Sequence, residues 1–422
     1  MNFRNGWFGL ILISGMLAAC SSEPSQTNPA ATVATAVPAL VAATVAPTVT
    51  VSAAASAGTS STVATTTTLT TTKVVSPTGA SPATANPAKL AYAGQIAYTG
   101  VEKNSVNIFV MTPDRTYQKQ LTNGSGVSFQ PQWSHDGKLI AYFHYDAQKD
   151  VTTIWVADAT GEQAPHLVSP ATGVKTADTL SWSVDNRFLV YQDVQPNSNQ
   201  RDIYRLDITT GEVVNLTTDS PKFDTSPIWS PDGKFIAFVS DRTNQSKGAD
   251  SIWIMAADGK NAKELTAEAG AWENTKPAWS PDSKQIAFYR WTVAKNFTAP
   301  GGPAGLWVMN ADGSNKQHLV DFTDWLPSDA PVWSPDGKLL AFDYGNKDDT
   351  NVWVAPVQGG KPVQISQLPG GEKNISWSPD SKAFVFTNFQ KDMLTLYIAR
   401  LDNSEPQPFF ETGGNGFGNW SR

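Results

Sequence analysis

The chain has 422 residues, 31 of them Lys or Arg and 38 Asp or Glu, for a formal net charge of −7. That balance, with no basic run and no basic patch interleaved with aromatics, excludes a nucleic-acid-binding footprint. A single cysteine excludes any disulfide within the chain, so packing must supply the stability.

Arg4 precedes a short apolar run, Trp7 to Ala19, too short to span a bilayer comfortably and built like the core of a secretory signal. The run ends Leu17-Ala18-Ala19-Cys20, which resembles the lipobox of bacterial lipoproteins, where the cysteine is acylated and becomes the first mature residue. Residues 1–19 are therefore expected to be a signal peptide. Lipid on Cys20 would hold the protein to a membrane, on its periplasmic or cell-surface side. From 20 to 87 the composition turns to Ala, Thr, Val, Pro and Ser with almost no aromatics, which cannot bury enough surface to fold and reads as a tether. As a flexible coil it would span about 45 Å, and about 200 Å if drawn toward polyproline II.

Residues 88–422 carry a repeat. Trp-Ser pairs stand at Trp133, Trp182, Trp229, Trp279, Trp333, Trp377 and Trp420, at intervals of 49, 47, 50, 54, 44 and 43 residues. Periods of that size belong to propellers and solenoids. In the clearest copy, Pro227 to Phe238, Ser230-Pro231-Asp232-Gly233 reads as a type I turn whose Gly takes positive φ, with apolar runs on both sides. A third strand (Ser251–Met255), a turn at Asp258-Gly259 and a fourth strand ending Glu264-Leu265-Thr266 complete a four-stranded unit. Second strands (Ile96–Tyr98 through Phe384–Phe386) and third strands (Asn107–Met111 through Thr395–Ala399) each number seven. The expectation is an all-β, seven-bladed propeller in which the lone strand at Trp420 completes the first blade and removes two open edges.

The Trp-Ser-Pro-Asp-Gly-Lys phrase and the Ile-Ala-Phe strand resemble those of the TolB-like propellers, over residues 88–422. The resemblance implies a propeller fold, with six blades as the alternative count, since the family's namesake has six and an α/β domain before them. Departures are local: His135 replaces the turn Pro, Val184-Asp185-Asn186 replaces Pro-Asp-Gly, and Ser283 and Ser381 replace Gly, so those turns are expected to be weaker.

No G-x-S-x-G elbow is present. Related oligogalacturonate lyases need a histidine cluster, whereas here His166 and His318 fall in outer strands of different blades and His135 and His144 at opposite ends of one. The chain therefore reads as a non-enzyme without a cofactor. The one loop with hard oxygen ligands, Asp343, Asn346, Asp348 and Asp349, matches no EF-hand spacing and is better read as solvated acids than as a calcium site.

Of fifteen tryptophans, seven lie in the Trp-Ser pairs, Trp155, Trp253, Trp307 and Trp353 in third strands, and Trp7 in the signal. The repeat leaves Trp272, Trp291 and Trp325 unexplained. Strand alternation puts loops between blades and second-to-third loops at one end. Trp272 and Trp325 read as residues of the former and Trp291 of the latter, in neighbouring blades. With Glu273, Tyr289, Arg290, Phe297 and Asp324 beside them, they have the composition of a binding hot spot. A tryptophan that pins a long loop would have the same sequence. The expected function is a monomeric, membrane-anchored module that binds an envelope protein, peptide or glycan on this long-loop face. Polysaccharide lyase or hydrolase activity is the enzymatic alternative.

Overall fold

The computed structural model describes residues 93–421 apart from 103–104, 171, 196–197, 243–248, 268–271, 293–303, 323–326, 347–348, 391–392, 403 and 410–414. Cys20, the tether, Phe297, Asp324, Trp325 and Asp348 lie outside the described residues. All regular structure among the described residues is β.

The strands run in sets. The first holds β1 (Ile96–Glu102), β2 (Ser105–Met111) and β3 (Gln118–Gln120); the second β4 (Val127–Trp133), β5 (Leu139–Asp146), β6 (Val151–Asp158) and β7 (His166–Leu167). The third comprises β8 (Ser181–Trp182), β9 (Phe188–Val194), β10 (Arg201–Asp207) and β11 (Val213–Asn215); the fourth β12 (Asp224–Trp229), β13 (Phe235–Ser240), β14 (Ser251–Ala256) and β15 (Lys263–Glu264). Next come β16 (Trp272–Trp279), β17 (Gln285–Thr292), β18 (Ala304–Asn310) and β19 (Gln317–Phe322), then β20 (Val332–Trp333), β21 (Leu339–Gly345), β22 (Thr350–Pro356) and β23 (Val363–Gln364). The last set holds β24 (Gly371–Trp377), β25 (Ala383–Gln390), β26 (Met393–Arg400) and β27 (Gln407–Pro408), and β28 (Asn415–Trp420) ends the chain.

Neighbours within a set pair antiparallel, giving five four-stranded sheets and one of eight strands, in which a single parallel bridge, Val106 to Val127, joins the first two sets. β28 pairs antiparallel with β1, Trp420 opposite Ile96 and Asn415 opposite Gly100, so the two ends of the described chain share a sheet. Propeller-like packing follows from the cores. Buried clusters bridge consecutive sets, as Ala237 and Val239 with Ile286 and Phe288, or Ala341 and Val352 with Trp377 and Phe384, and one reaches across the first three. One such cluster joins the last set to the first, through Val385, Leu396, Phe409, Ile96, Tyr98 and Trp420.

The repeated phrase folds for identifiable reasons. The serine Oγ donates to the carboxylate two residues on, Ser230 to Asp232 and Ser334 to Asp336 at 2.7 Å and Ser378 to Asp380 at 2.6 Å. The same Oγ accepts the N–H five residues on, from Phe235, Leu339 or Ala383, which fixes where the second strand starts. From the second set to the last, except the fourth, whose Trp229 indole has no partner among the described residues, the tryptophan indole bonds across to a neighbouring set. Trp182 donates to Gln132 O, Trp279 to Ile228 O, Trp333 to Ala278 O and Trp377 to Val332 O, each carbonyl belonging to the residue before the preceding Trp. Trp133 donates to Asn419 O, carrying the same bond from the second set back to β28. The Thr or Ser that closes the fourth-strand segment accepts a third-strand N–H: Ile108 to Thr122, Ile154 to Ser169, Ile203 to Thr217, Ile252 to Thr266 and Val352 to Ser366.

The expected weakness of the variant turns is not what the structure shows. Asn186, Ser283 and Ser381 do take positive φ of 59°, 60° and 60°. Each also accepts an N–H from the turn of the preceding set: His135 N to Asn186 Oδ1, Asp232 N to Ser283 Oγ and Asp336 N to Ser381 Oγ. His135 supplies the N–H that proline lacks. The turns that carry glycine alternate with those that carry the acceptor, so left-handed strain in one is offset by a bond between sets. At Gly233 glycine is required twice, by its φ of 74° and because a Cβ would lie 2.5 Å from Val184 Cγ1. Gly233→Ala is expected to cost about 2 kcal/mol or more, read as a shift in urea midpoint.

A second device recurs. Gln130, Ser226, Lys276, Asn374 and Phe417, each three residues before the Trp of its set, have left-handed φ. The ladder slips by one residue there, as between Thr225 and Ile228 or Thr275 and Ala278. This bulge bends each inner strand, and β28 carries it like the others. β8 and β20 lack it and pair over only two residues. There a carboxylate on the second strand replaces the ladder: Asp193 accepts Lys175 N and Thr176 N, and Asp343 accepts Ser328 N and Asp329 N.

Candidate functional site

Because chain direction alternates, second-to-third connections and connections between sets share one end of the molecule, and the Ser-x-Asp turns share the other. The candidate residues gather at the first of these ends, in the fifth set. Trp272 and Trp291 are not in loops as the sequence suggests. Trp272 opens β16 and Trp291 lies in β17, with Glu273 opposite Trp291 and Trp272 opposite Thr292, because the hairpin pairs further than the repeat phrase implies. Trp272, Glu273 and Trp291 are half-buried, whereas Tyr289 and Arg290 are buried and present little surface.

The two tryptophans have structural partners. The Arg290 guanidinium carbon lies 4.2 Å from the Trp272 ring centre and 5.0 Å from that of Trp307, a cation held between two indoles. Trp291 packs on the core cluster that contains Tyr289, Phe322 and Phe342. In the fourth set Arg242 lies over Phe238 and Trp253 at 5.1 and 4.9 Å and donates to the buried Asp224 at 2.8 Å. The third-strand tryptophans Trp253 and Trp307 therefore each seat a guanidinium.

Residues 328–343 form a polar group that sequence reading did not find. The Asp343 carboxylate accepts Ser328 N at 2.9 Å, Ser328 Oγ at 2.8 Å and Asp329 N at 3.2 Å, and Asp329 accepts Asn374 N at 2.7 Å from the next set. Burial, then the charge of Asp329, pushes Asp343 up to about 6. Asp343 thus belongs to this inner group, while Asn346 Oδ1 accepts Asp349 N in the exposed loop, so the oxygens considered for calcium are divided between two environments. Among the described residues no group of three or more His, Cys, Asp or Glu could hold a metal ion. His166 and His318 lie on the outer strands β7 and β19.

Glu372, on β24, is fully buried and accepts Val352 N at 2.8 Å, Leu368 N at 3.0 Å and the Ser366 hydroxyl. Burial pushes it up to about 7. A carboxyl whose folded value is raised binds more protons folded than unfolded, so its contribution is complete below about 4.5 and is lost as pH rises through about 7. Wild-type stability is expected to fall by about 2–3 kcal/mol between pH 5 and 8 from this group, with Asp343 adding in the same direction. Urea midpoints across that range check it: Glu372→Gln should flatten the Glu372 part, and an unchanged slope in the variant contradicts the assignment.

Residues 84–300 match the TolB beta propeller domain. The protein Atu1656 of Agrobacterium fabrum, uncharacterized, is 32% identical over 164 residues, 38% of this chain and 52% of that protein. Tol-Pal system protein TolB of Francisella tularensis subsp. mediasiatica is 35% identical over 169 residues, 39% of this chain and 34% of that protein. The chain thus spans about half or less of the length of these curated relatives. Among solved structures, oligogalacturonate lyase from Vibrio parahaemolyticus superposes with a TM-score of 0.57 at 18% identity, covering 73% of this chain and 86% of that one, a likeness of fold alone. The family match extends over half of the sequence, and this chain belongs to the TolB beta propeller domain family.

Proposed function

We propose that this protein is an exported, lipid-anchored, seven-bladed propeller that binds a protein or peptide of the cell envelope on its long-loop face. Support for seven blades comes from the seven sets of four strands that result when β28 is counted with β1, and from the indole bond of Trp133 to Asn419, which joins the second set to β28 as other indoles join consecutive sets. The anchor rests on Leu17-Ala18-Ala19-Cys20. The tether, residues 20–87, joins the described chain just before β1, whose first residue faces Trp420 at the turn end.

The observation that carries the binding reading is the half-buried Trp272, Glu273 and Trp291 on paired strands at that face. Phe297, Asp324 and Trp325 extend the same proposed surface by their place in sequence. Two relatives of this family named for the Tol-Pal system favour an envelope protein as partner over a glycan. Half-buried tryptophans would also stack on sugar rings, which keeps a carbohydrate-binding role or a lyase as the second reading.

A pull-down from envelope extract beside a glycan array separates the two, with Trp272→Ala and Trp291→Ala as probes. Loss of capture by about tenfold or more with unchanged melting supports a binding face. Lowered melting with retained capture makes both residues pins for the hairpin and removes the proposal. For the anchor, Cys20→Ala is expected to abolish fatty-acid labelling and membrane sedimentation; labelling equal to wild type contradicts it.

A further inference from the structure

We propose that Asn123 is a site of spontaneous deamidation, where the native protein converts to aspartate and isoaspartate without an enzyme. Asparagine followed by glycine is the pair in which this reaction meets least hindrance, since glycine has no Cβ to shield its nitrogen. Three such pairs stand in the chain, Asn5-Gly6, Asn123-Gly124 and Asn415-Gly416. Asn5 lies in the expected signal peptide, outside the described residues. The fold separates the other two.

Asn123 and Gly124 are exposed, in the connection that leads from β3 to β4 at the long-loop end. Gly124 has a φ of 131°, and a Cβ placed on it would meet nothing within 4 Å. Among the described residues neither the Asn123 side chain nor the Gly124 N–H has a hydrogen-bond partner, so the attacking nitrogen gives up no bond when it turns toward the side chain. Both flanks are fixed. Thr122 is buried and its Oγ1 accepts Ile108 N at 2.9 Å, while Gly126 O accepts Val106 N at 3.2 Å. Reaction is thereby confined to an exposed tip, Asn123 to Ser125, between two anchored residues.

Asn415-Gly416 carries the same chemistry in the opposite environment. Both residues belong to the ladder of β28 with β1, Asn415 opposite Gly100 and Gly416 opposite Thr99. Gly416 is buried, and its carbonyl accepts Thr99 Oγ1 at 2.8 Å. Laddered, extended backbone holds the glycine nitrogen away from the carbonyl carbon of the preceding side chain, so attack there must wait for the strand to open.

The step balances with water alone. A base takes the Gly124 N–H proton, the nitrogen attacks Asn123 Cγ, and the Cγ–Nδ2 bond breaks as the leaving nitrogen takes a proton from water and departs as ammonia. Water then opens the resulting succinimide at either carbonyl, giving aspartate or, where the main chain now runs through the side-chain carbon, isoaspartate. Either product adds a negative charge to the long-loop end. Isoaspartate also lengthens the main chain by a methylene close to the Val106–Val127 bridge. This chemistry stands whether or not that face binds a partner.

The test incubates the full chain in heavy-oxygen water at pH 6.5 and 8.5, native and in urea, and follows the peptides that hold Asn123 and Asn415 by mass spectrometry after digestion at low pH. In the native protein Asn123 should convert about tenfold or more faster than Asn415, faster at pH 8.5 than at 6.5, and in urea the two rates should converge. Both aspartate and isoaspartate should form at Asn123, each carrying heavy oxygen. Native Asn123 that stays intact while the urea sample converts, or equal native rates at the two asparagines, overturns the proposal. Aspartate without isoaspartate overturns it as well, because that product would come from direct hydrolysis and not from attack by Gly124.

Discussion

Removing residues 415–422 should leave a protein that aggregates and melts far below the wild type. The deletion strips β1 of its partner over the register from Ile96–Trp420 to Gly100–Asn415 and exposes its edge. It also takes Trp420 out of the cluster with Ile96, Tyr98, Val385 and Leu396, removes the acceptor of the Trp133 indole, and frees Thr387 Oγ1 and Ser376 Oγ from Phe417 N and Trp420 N. A single buried tryptophan is worth about 3–5 kcal/mol on truncation, a large share of the 5–15 kcal/mol of a typical domain, before the lost ladder is counted. Differential scanning calorimetry and light scattering check it. A truncated protein that melts as the full one does would mean the strand is an appendage.

Trp333→Ala should be the most damaging single substitution among the Trp-Ser residues, by about 3–5 kcal/mol. Trp333 is buried among Ala278, Ala287, Leu306 and Leu340, and its indole donates to Ala278 O at 3.0 Å in a fully buried bond. Truncation opens a cavity and leaves that carbonyl unpaired. Trp229 is the comparison, because its indole N–H has no partner, and replacing it forfeits packing alone. Urea midpoints should rank Trp333→Ala below Trp229→Ala. The reverse order would deny the indole bond a role in joining sets.

Much of this architecture is legible in the chain because the Ser-x-Asp turn is made by side chains that name themselves. Ser230, Asp232 and Gly233 each have one job, and the chemistry of each residue type fits only that job. The inner-strand bulge is illegible for the opposite reason. Gln130, Ser226, Lys276, Asn374 and Phe417 share a left-handed φ but no side-chain property, since the bulge is imposed by pairing with the second strand. The variant turns looked like defects, and only the bonds between sets show that Asn186, Ser283 and Ser381 are acceptors for a neighbour.

In the candidate site, the gathering of Trp272, Glu273 and Trp291 could be read from strand alternation. Their place in strands could not, because nothing local marks how far a hairpin extends past its turn. Arg290 read as an exposed hot-spot residue, yet two indoles bury it. Asp343 read as a loop acid and its pairing with Asp329 escaped notice, since the two are fourteen residues apart in sequence and meet only because Asp343 stands in for a missing ladder.

The joining of the two chain ends in one sheet is tested most directly by amide hydrogen exchange. Ser421 N–H donates to Gln95 O at 2.8 Å, and Trp420 N–H to Ser376 Oγ at 2.9 Å. If β28 closes the propeller, the amides of residues 96–100 and 416–421 will exchange only with global unfolding, with the same opening free energy as those of the central strands β13 and β21. Exchange of 416–421 within seconds while β13 and β21 stay protected would contradict closure.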